Sequence, residues 1–467
     1  MNPNKSKPAL ERSATWAVLA CVCSLFLFHL VIIYKYAVDI PIIDDWAFFR
    51  PERPARLSLA WLFDTSNTRA TATEHVIATT KLFVWMQYQL NGWSYSFNLA
   101  LNFIIFGLLL GWMLRFVDRA APDVPRYAKF AFIIFLLSPI DWFNHFMATQ
   151  TCYLFYLLFF LLASYVLFNA RQHWRHIVSG SLLAVLSIYS LASGFGSCLV
   201  LILAFCIFKG ARIYSSTNPA RRIREATQLA VTVFLIGGAL TLWIAQYVTP
   251  AHIELVFPNH LRFWQFFVNV VSFGFGIETF SFWRGMLCLL IVLVPICGII
   301  WKRKGRLTAL EWACFVMVAG ILANVAQIAL GRTYQDGPVG SKVLRYVEFV
   351  LPLIPLSMIA WANLFQGRKR LQAVSLGALF AFCLLAFAND WSFAVYRSEA
   401  VRRIEGRECV KSYYRGTGDG RCPILYADRA VNIPLATWLE NAKAVNVSFY
   451  RNIRAEIERE NQTQGSP

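Results

Sequence analysis

Apolar runs long enough to cross a bilayer recur along almost the whole chain, separated by short polar or basic connections. A bilayer core about 30 Å thick takes about 20 residues of helix, and in lipid every backbone polar group must find its partner within the protein. Hydrophobic residues make up 57% of the 467, more than soluble domains carry. The expectation is therefore an all-α polytopic membrane protein with about eleven transmembrane helices.

The runs predict spans over 15–36, 95–117, 128–143, 152–168, 229–248, 283–301, 311–330, a run ending at 365, and 371–395. Residues 177–208 are long for one span and short for two. The small residues from Ser190 to Gly196 break that stretch, which predicts two short helices and a turn. The net charge of +18 raises nucleic acid as a partner, but the basic residues cluster between apolar runs, as cytoplasmic loops do. With the amino terminus inside, eleven crossings put the groups at Lys5, Arg119, Arg171, Arg222, Lys302 and Lys369 on the cytoplasmic face. The first run lacks a small-residue cleavage site and reads as a retained helix, not a removed signal peptide.

This topology makes 1–395 a membrane domain with a long first outer loop over 35–94, and 396–467 an outer tail. Within the loop, Pro54–Phe63 and His75–Leu90 show helical spacing but are too short or too polar to span, and read as interfacial helices. A third amphipathic piece, His260–Phe275, stands in a later outer loop. Most of the eleven cysteines lie inside apolar runs as small hydrophobes. Cys409 and Cys422 lie in the tail, and an outer compartment is oxidising, so these two form the natural disulfide.

Candidate chemistry gathers in the first loop, which opens Pro41-Ile42-Ile43-Asp44-Asp45-Trp46. Adjacent carboxylates at a membrane surface repel and are partly desolvated, which raises a pKa and suits proton abstraction. The plainer account is a solvated pair ending the first helix, with Trp46 as an interfacial anchor. Asp45 is favoured as the base, on the view that the turn after Pro41 holds Asp44. Glu74 and His75 open the second amphipathic piece; Thr71-x-x-Glu74 also fits a capping box. Arg332, Lys342 and Arg345 are outer cations against the general bias, and Arg345-Tyr346 marks the mouth of the tenth helix. Guanidinium groups there suit a phosphate, or an anionic headgroup of membrane lipid. His29 sits within an apolar run and receives no chemistry; Asp141 and His145 share a turn but are too few to argue a metal site.

These residues resemble the GT-C glycosyltransferases, integral membrane enzymes that take a sugar from a polyprenyl-phosphate carrier. The Ile43-Asp44-Asp45-Trp46 opening, the Glu74-His75 element and the Gly331-Arg332…Arg345-Tyr346 loop are similar to patterns in bacterial members, including the O-antigen-modifying glucosyltransferases. Where the family has Ser-Arg-Tyr near the phosphate, this chain has Leu344-Arg345-Tyr346. The resemblance implies a GT-C fold in a bacterial inner membrane, an undecaprenyl-phosphate sugar donor and a glycan acceptor. Asp44 and Asp45 are then catalytic, with Trp46, Glu74, His75, Arg332, Lys342, Arg345 and Tyr346 binding substrate. A divalent cation is left open. A polysaccharide polymerase or ligase would need no carboxylate base in the first loop. A transporter or flippase would carry charged residues at mid-membrane and related halves.

Overall fold

The computed structural model describes residues 7–48, 62–63, 76–169, 171–247, 254–341, 343–425 and 435–464, and among these it is helical, with no strand. Nine helices among the described residues are long and apolar enough to cross a membrane. They are contained in α1 (Lys7–Tyr36), α3 (Tyr95–Ala120), α4 (Ala148–Leu167), α6 (Ser193–Ser215), α7 (Pro219–Gln246), α9 (Phe282–Arg303), α10 (Ala309–Tyr334), α11 (Leu344–Leu364) and α12 (Lys369–Ala386). Between them come the shorter α2 (Ala78–Asn91), α5 (Trp174–Ile188) and α8 (Leu261–Phe273). Three helices close the chain: α13 (Ala394–Tyr414), α14 (Leu435–Ala444) and α15 (Ser448–Gln464).

Two of the eleven expected spans are not among these nine helices, for two physical reasons. The third run does not form one helix. It gives a turn of α-helix over Arg126–Ala131, then 3₁₀ turns over Phe132–Leu137 and Pro139–Asp141. Pro139 drives the preceding Ser138 to an extended ψ of 135°, and the Ser138 hydroxyl caps the new turn by accepting from Ile140 N. The fifth run gives α5, whose 15 residues rise only about 22 Å, short of a bilayer core. Across the break after α5, Gly194 permits the close approach of α6 to α5, since a Cβ there would run into the Ser187 carbonyl. By contrast α7 starts well before the expected residue 229, because Asn218 caps Arg221 N and Pro219 takes the first helical position.

The first loop's second amphipathic piece is helical, as α2, and begins at Ala78. It is tied to the α5–α6 turn: Thr79 N donates to Tyr189 O at 3.0 Å and Thr80 Oγ1 to Ser190 O at 3.3 Å. Of the first piece only Leu62 and Phe63 are described; the Phe63 ring meets Tyr189 edge-on at 5.2 Å. Helix α8 packs by a buried aromatic face against α9 and α10.

The tail is a cap packed on the loop-one end of the bundle. Ser448 N donates to Gly92 O at 3.0 Å, Arg451 Nη2 to Asn91 O at 3.1 Å, and Asn452 Nδ2 to Asp39 Oδ2 at 2.8 Å. Gly92 has φ 70°, the left-handed conformation that favours glycine at a helix end. Inside the cap, Arg407 grips Glu456 with two bonds of 3.0 and 2.6 Å, and Lys411 reaches Glu460 at 2.5 Å. Cys409 and Cys422 are joined by a disulfide.

Candidate functional site

The chain enters the loop-one end from α1 and turns at once. Ile43–Phe48 form a 3₁₀ turn that contains Asp44 and Asp45. Ile43 has φ 43°, a conformation that costs a β-branched residue about 1–3 kcal/mol, and it is held there by its N–H bond to Leu425 O of the cap at 2.9 Å. Trp46 is wholly buried, edge-on to Phe449 of α15 at 5.6 Å. The acidic turn is thus clamped between bundle and cap.

It is Asp45 that the fold holds. Its carboxylate is fully buried; Oδ1 accepts from Thr149 N at 2.7 Å, and Oδ2 accepts from Ile42 N at 3.5 Å. Thr149 belongs to the 3₁₀ turn that starts α4, so Asp45 acts as a cap supplied from another segment. Burial pushes the Asp45 pKa up to about 6, against the lowering pull of the Thr149 N–H and the charge of Arg403. The Asp44 side chain, Glu74, His75 and Lys342 lie outside the described residues.

Arg403 comes from α13 in the cap and is 1% exposed. Its Nη1 donates to Tyr95 Oη and its Nη2 to Phe146 O, both at 2.5 Å, while Nε pairs with Glu399 at 3.2 Å. The guanidinium also lies over the Phe146 ring, 4.9 Å from its centroid. No sequence motif marks it, since it is one arginine among many in a polar helix.

Arg345 reaches the same region through the segment between Ser138 and Thr151. Asn144 Nδ2 donates to Arg345 O at 3.3 Å, one short turn before Phe146 and Thr149. That segment therefore holds the Arg345 backbone at its middle and Asp45 near its Thr151 end. Arg345 lies in the 3₁₀ turn Leu344–Tyr346, its guanidinium 5.7 Å from the Tyr346 ring centroid, and Tyr346 is buried against Phe266. Arg332 stands half-buried in the last turn of α10.

Beside Arg345 the structure places a second set of acids. Asp141 and Glu348 meet side chain to side chain, Asn144 donates to Asp141, and His145 and His29 stand next to them. Glu348 was legible: an acid inside an apolar run, one turn after Arg345, is itself a signal of function. Among the described residues no three His, Cys, Asp or Glu side chains are placed to hold a metal ion.

The fold and this end of the bundle define a polytopic α-helical membrane protein with an acidic turn, a buried acid pair and an arginine turn gathered under a helical cap. No family model, curated protein or solved structure matches the chain.

Proposed function

We propose that this protein is a glycosyltransferase of GT-C type that moves a sugar from an undecaprenyl-phosphate carrier to a lipid-linked glycan or polysaccharide. The reaction takes place on the outer face of a bacterial inner membrane, with the amino terminus cytoplasmic and the cap outside. The observation that carries this reading is the convergence of the acidic turn and the Arg345 turn on the single segment from Ser138 to Thr151. An in-line displacement at an anomeric carbon needs a base for the incoming hydroxyl and a cation for the departing phosphate.

In this reading the acceptor hydroxyl gives its proton to a carboxylate of the acidic turn as its oxygen attacks the sugar. The bond to the phosphate oxygen breaks, and the charge that builds on the phosphate is met by Arg345, with Arg332 as a second cation. Asp45 is enclosed and engaged with Thr149 N, which supports Asp44 as the group that meets the hydroxyl and Asp45 as its mount. This reverses the preference reached from the turn alone. Trp46, being buried against Phe449, supports the turn and does not offer its face to a sugar.

The test is transfer in membranes supplied with the polyprenyl-linked sugar. D44N should abolish transfer with donor binding retained, since loss of a general base costs about 10²–10⁴ in rate. Full transfer by D44N/D45N would leave the polymerase or ligase reading, which needs no such base. The buried Asp141–Glu348 pair is also what a proton-coupled carrier needs. Proton-driven uptake of a lipid-linked glycan into vesicles, with no covalent transfer, would establish that second reading.

A further inference from the structure

The acid pair beside Arg345 belongs to a cluster whose polar atoms do not balance. Asp141, Asn144, His145 and Glu348 surround it, with His29 from α1 and Tyr396 from α13, none of them more than 9% exposed. His29 Nδ1 lies 3.0 Å from Leu25 O. A carbonyl only accepts, so Nδ1 carries the proton and Nε2 presents a bare lone pair, which meets no donor. The His29 and His145 rings stand edge to face at 5.7 Å.

His145 Nδ1 pairs with Tyr396 Oη at 2.8 Å, and its Nε2 stops 3.9 Å from Asp141 Oδ2, too far for a hydrogen bond. Burial, with His29 beside it, pushes the His145 pKa down to about 3, so this ring adds no positive charge. Asn144 Oδ1 also lacks a donor. The Asp141 carboxyl faces Glu348 and the Asn144 amide, and the Glu348 carboxyl faces Asp141. The cluster thus holds several buried polar atoms without a partner, His29 Nε2, Asp141 Oδ2, Asn144 Oδ1 and His145 Nε2, and a buried polar group left in that state costs free energy until something fills it.

We propose that the Asp141–Glu348 pair and the unpartnered Nε2 atoms of His29 and His145 form a proton-binding site, in which the two carboxyl groups share one proton and water extends the contact to the imidazoles. A carboxyl–carboxyl hydrogen bond exists only when one partner is protonated, and two ionised acids in contact repel. A metal ion is the other positive occupant, but the described residues offer it no three-ligand set. Through Asn144 the site is one hydrogen bond from the Arg345 backbone, so its proton count bears on where that turn sits. The inference does not rest on sugar transfer. It serves any reaction at the Arg345 turn that frees or takes up a proton.

Infrared spectroscopy of the full-length protein in lipid nanodiscs tests it, at a pH well above the Asp45 value of about 6. The expected result is a carboxylic-acid carbonyl absorption that shifts in heavy water and is lost in both Glu348→Gln and Asp141→Asn. Should either variant fail to fold, isotope-labelled aspartate and glutamate in the unaltered chain answer the same question, because the band must move with one label or the other. An unlabelled-type spectrum under both labels would overturn the proposal. So would saturable stabilisation by sodium, magnesium or manganese that Glu348→Gln abolishes, since a metal ion would then be the occupant. Neither readout depends on transferase activity, so the two readings fail separately.

Discussion

Arg403 Nη1 donates to Tyr95 Oη at 2.5 Å, joining a cap helix to the first residue of a membrane helix. The Tyr95 hydroxyl in turn donates to Phe146 O, which also accepts from Arg403, so three distant segments share one buried knot. A stretch that reads as a polar tail is packed into the loop-one end of the bundle.

Removing that guanidinium should loosen the cap. Arg403→Ala leaves Glu399 in a buried position with only Arg402 beside it, a loss of about 3 kcal/mol. Arg403→Lys keeps the charge but cannot reach three acceptors with a planar fork, and should fall between. Thermal unfolding in detergent, with limited proteolysis of the cap, reads both; a wild-type melting profile for Arg403→Ala would show the knot to be incidental.

Asp45 makes stability depend on pH in a stated direction. Its folded pKa, about 6, lies above the ordinary 3.8, so the folded state binds the proton more tightly than the unfolded one. The contribution is complete below about 3.8 and is lost as pH rises through about 6, and it amounts to about 3 kcal/mol at most. Asp45→Asn keeps the acceptor for Thr149 N and removes the titration. The wild type should therefore lose stability relative to Asp45→Asn between these two pH values and run parallel above them. Parallel curves throughout would mean that Asp45 titrates as an exposed acid does.

The Cys409–Cys422 bridge spans 13 positions of sequence and fastens α13 to the turn whose Leu425 carbonyl holds Ile43. Cys409→Ser/Cys422→Ser should cost about 3 kcal/mol in the chain-entropy model and free the acidic turn along with the cap. Mass spectrometry of the unreduced peptide should find the two cysteines joined in protein purified from cells. Free alkylation of both without reductant would count against the bridge and against an outer cap.

The proposed orientation, amino terminus inside and cap outside, is read with fusions. A reporter active only in the cytoplasm, fused after Phe393, should be silent, whereas one fused after Arg119 should report. Activity at Phe393 would put the cap inside and remove the outer-face reaction.

If Arg345 holds the donor phosphate as proposed, Arg345→Ala should weaken both donor binding and turnover, unlike the acidic substitutions, since the contact exists in ground and transition state alike. Binding of the polyprenyl-phosphate donor, measured apart from transfer, separates the two effects. Unchanged binding with lost turnover would shift the phosphate contact to Arg332.

Membrane class, all-α architecture and most helix positions follow from the sequence alone, because lipid forces each apolar run of sufficient length to pair its own backbone. The broken third run was also written locally, in Ser138-Pro139, and the early start of α7 in Asn218-Pro219. The acidic turn and the arginine turn were visible as residue types out of place. Only the tertiary structure decided that Asp45 is enclosed, that Thr149 N is its partner, and that Arg403 crosses from the tail to Tyr95. Those contacts join residues 104 and 308 positions apart. Periodicity and capping report what a segment does with its own neighbours. Which buried carboxylate meets which donor is settled when helices pack, and that information is spread over every surface in the bundle.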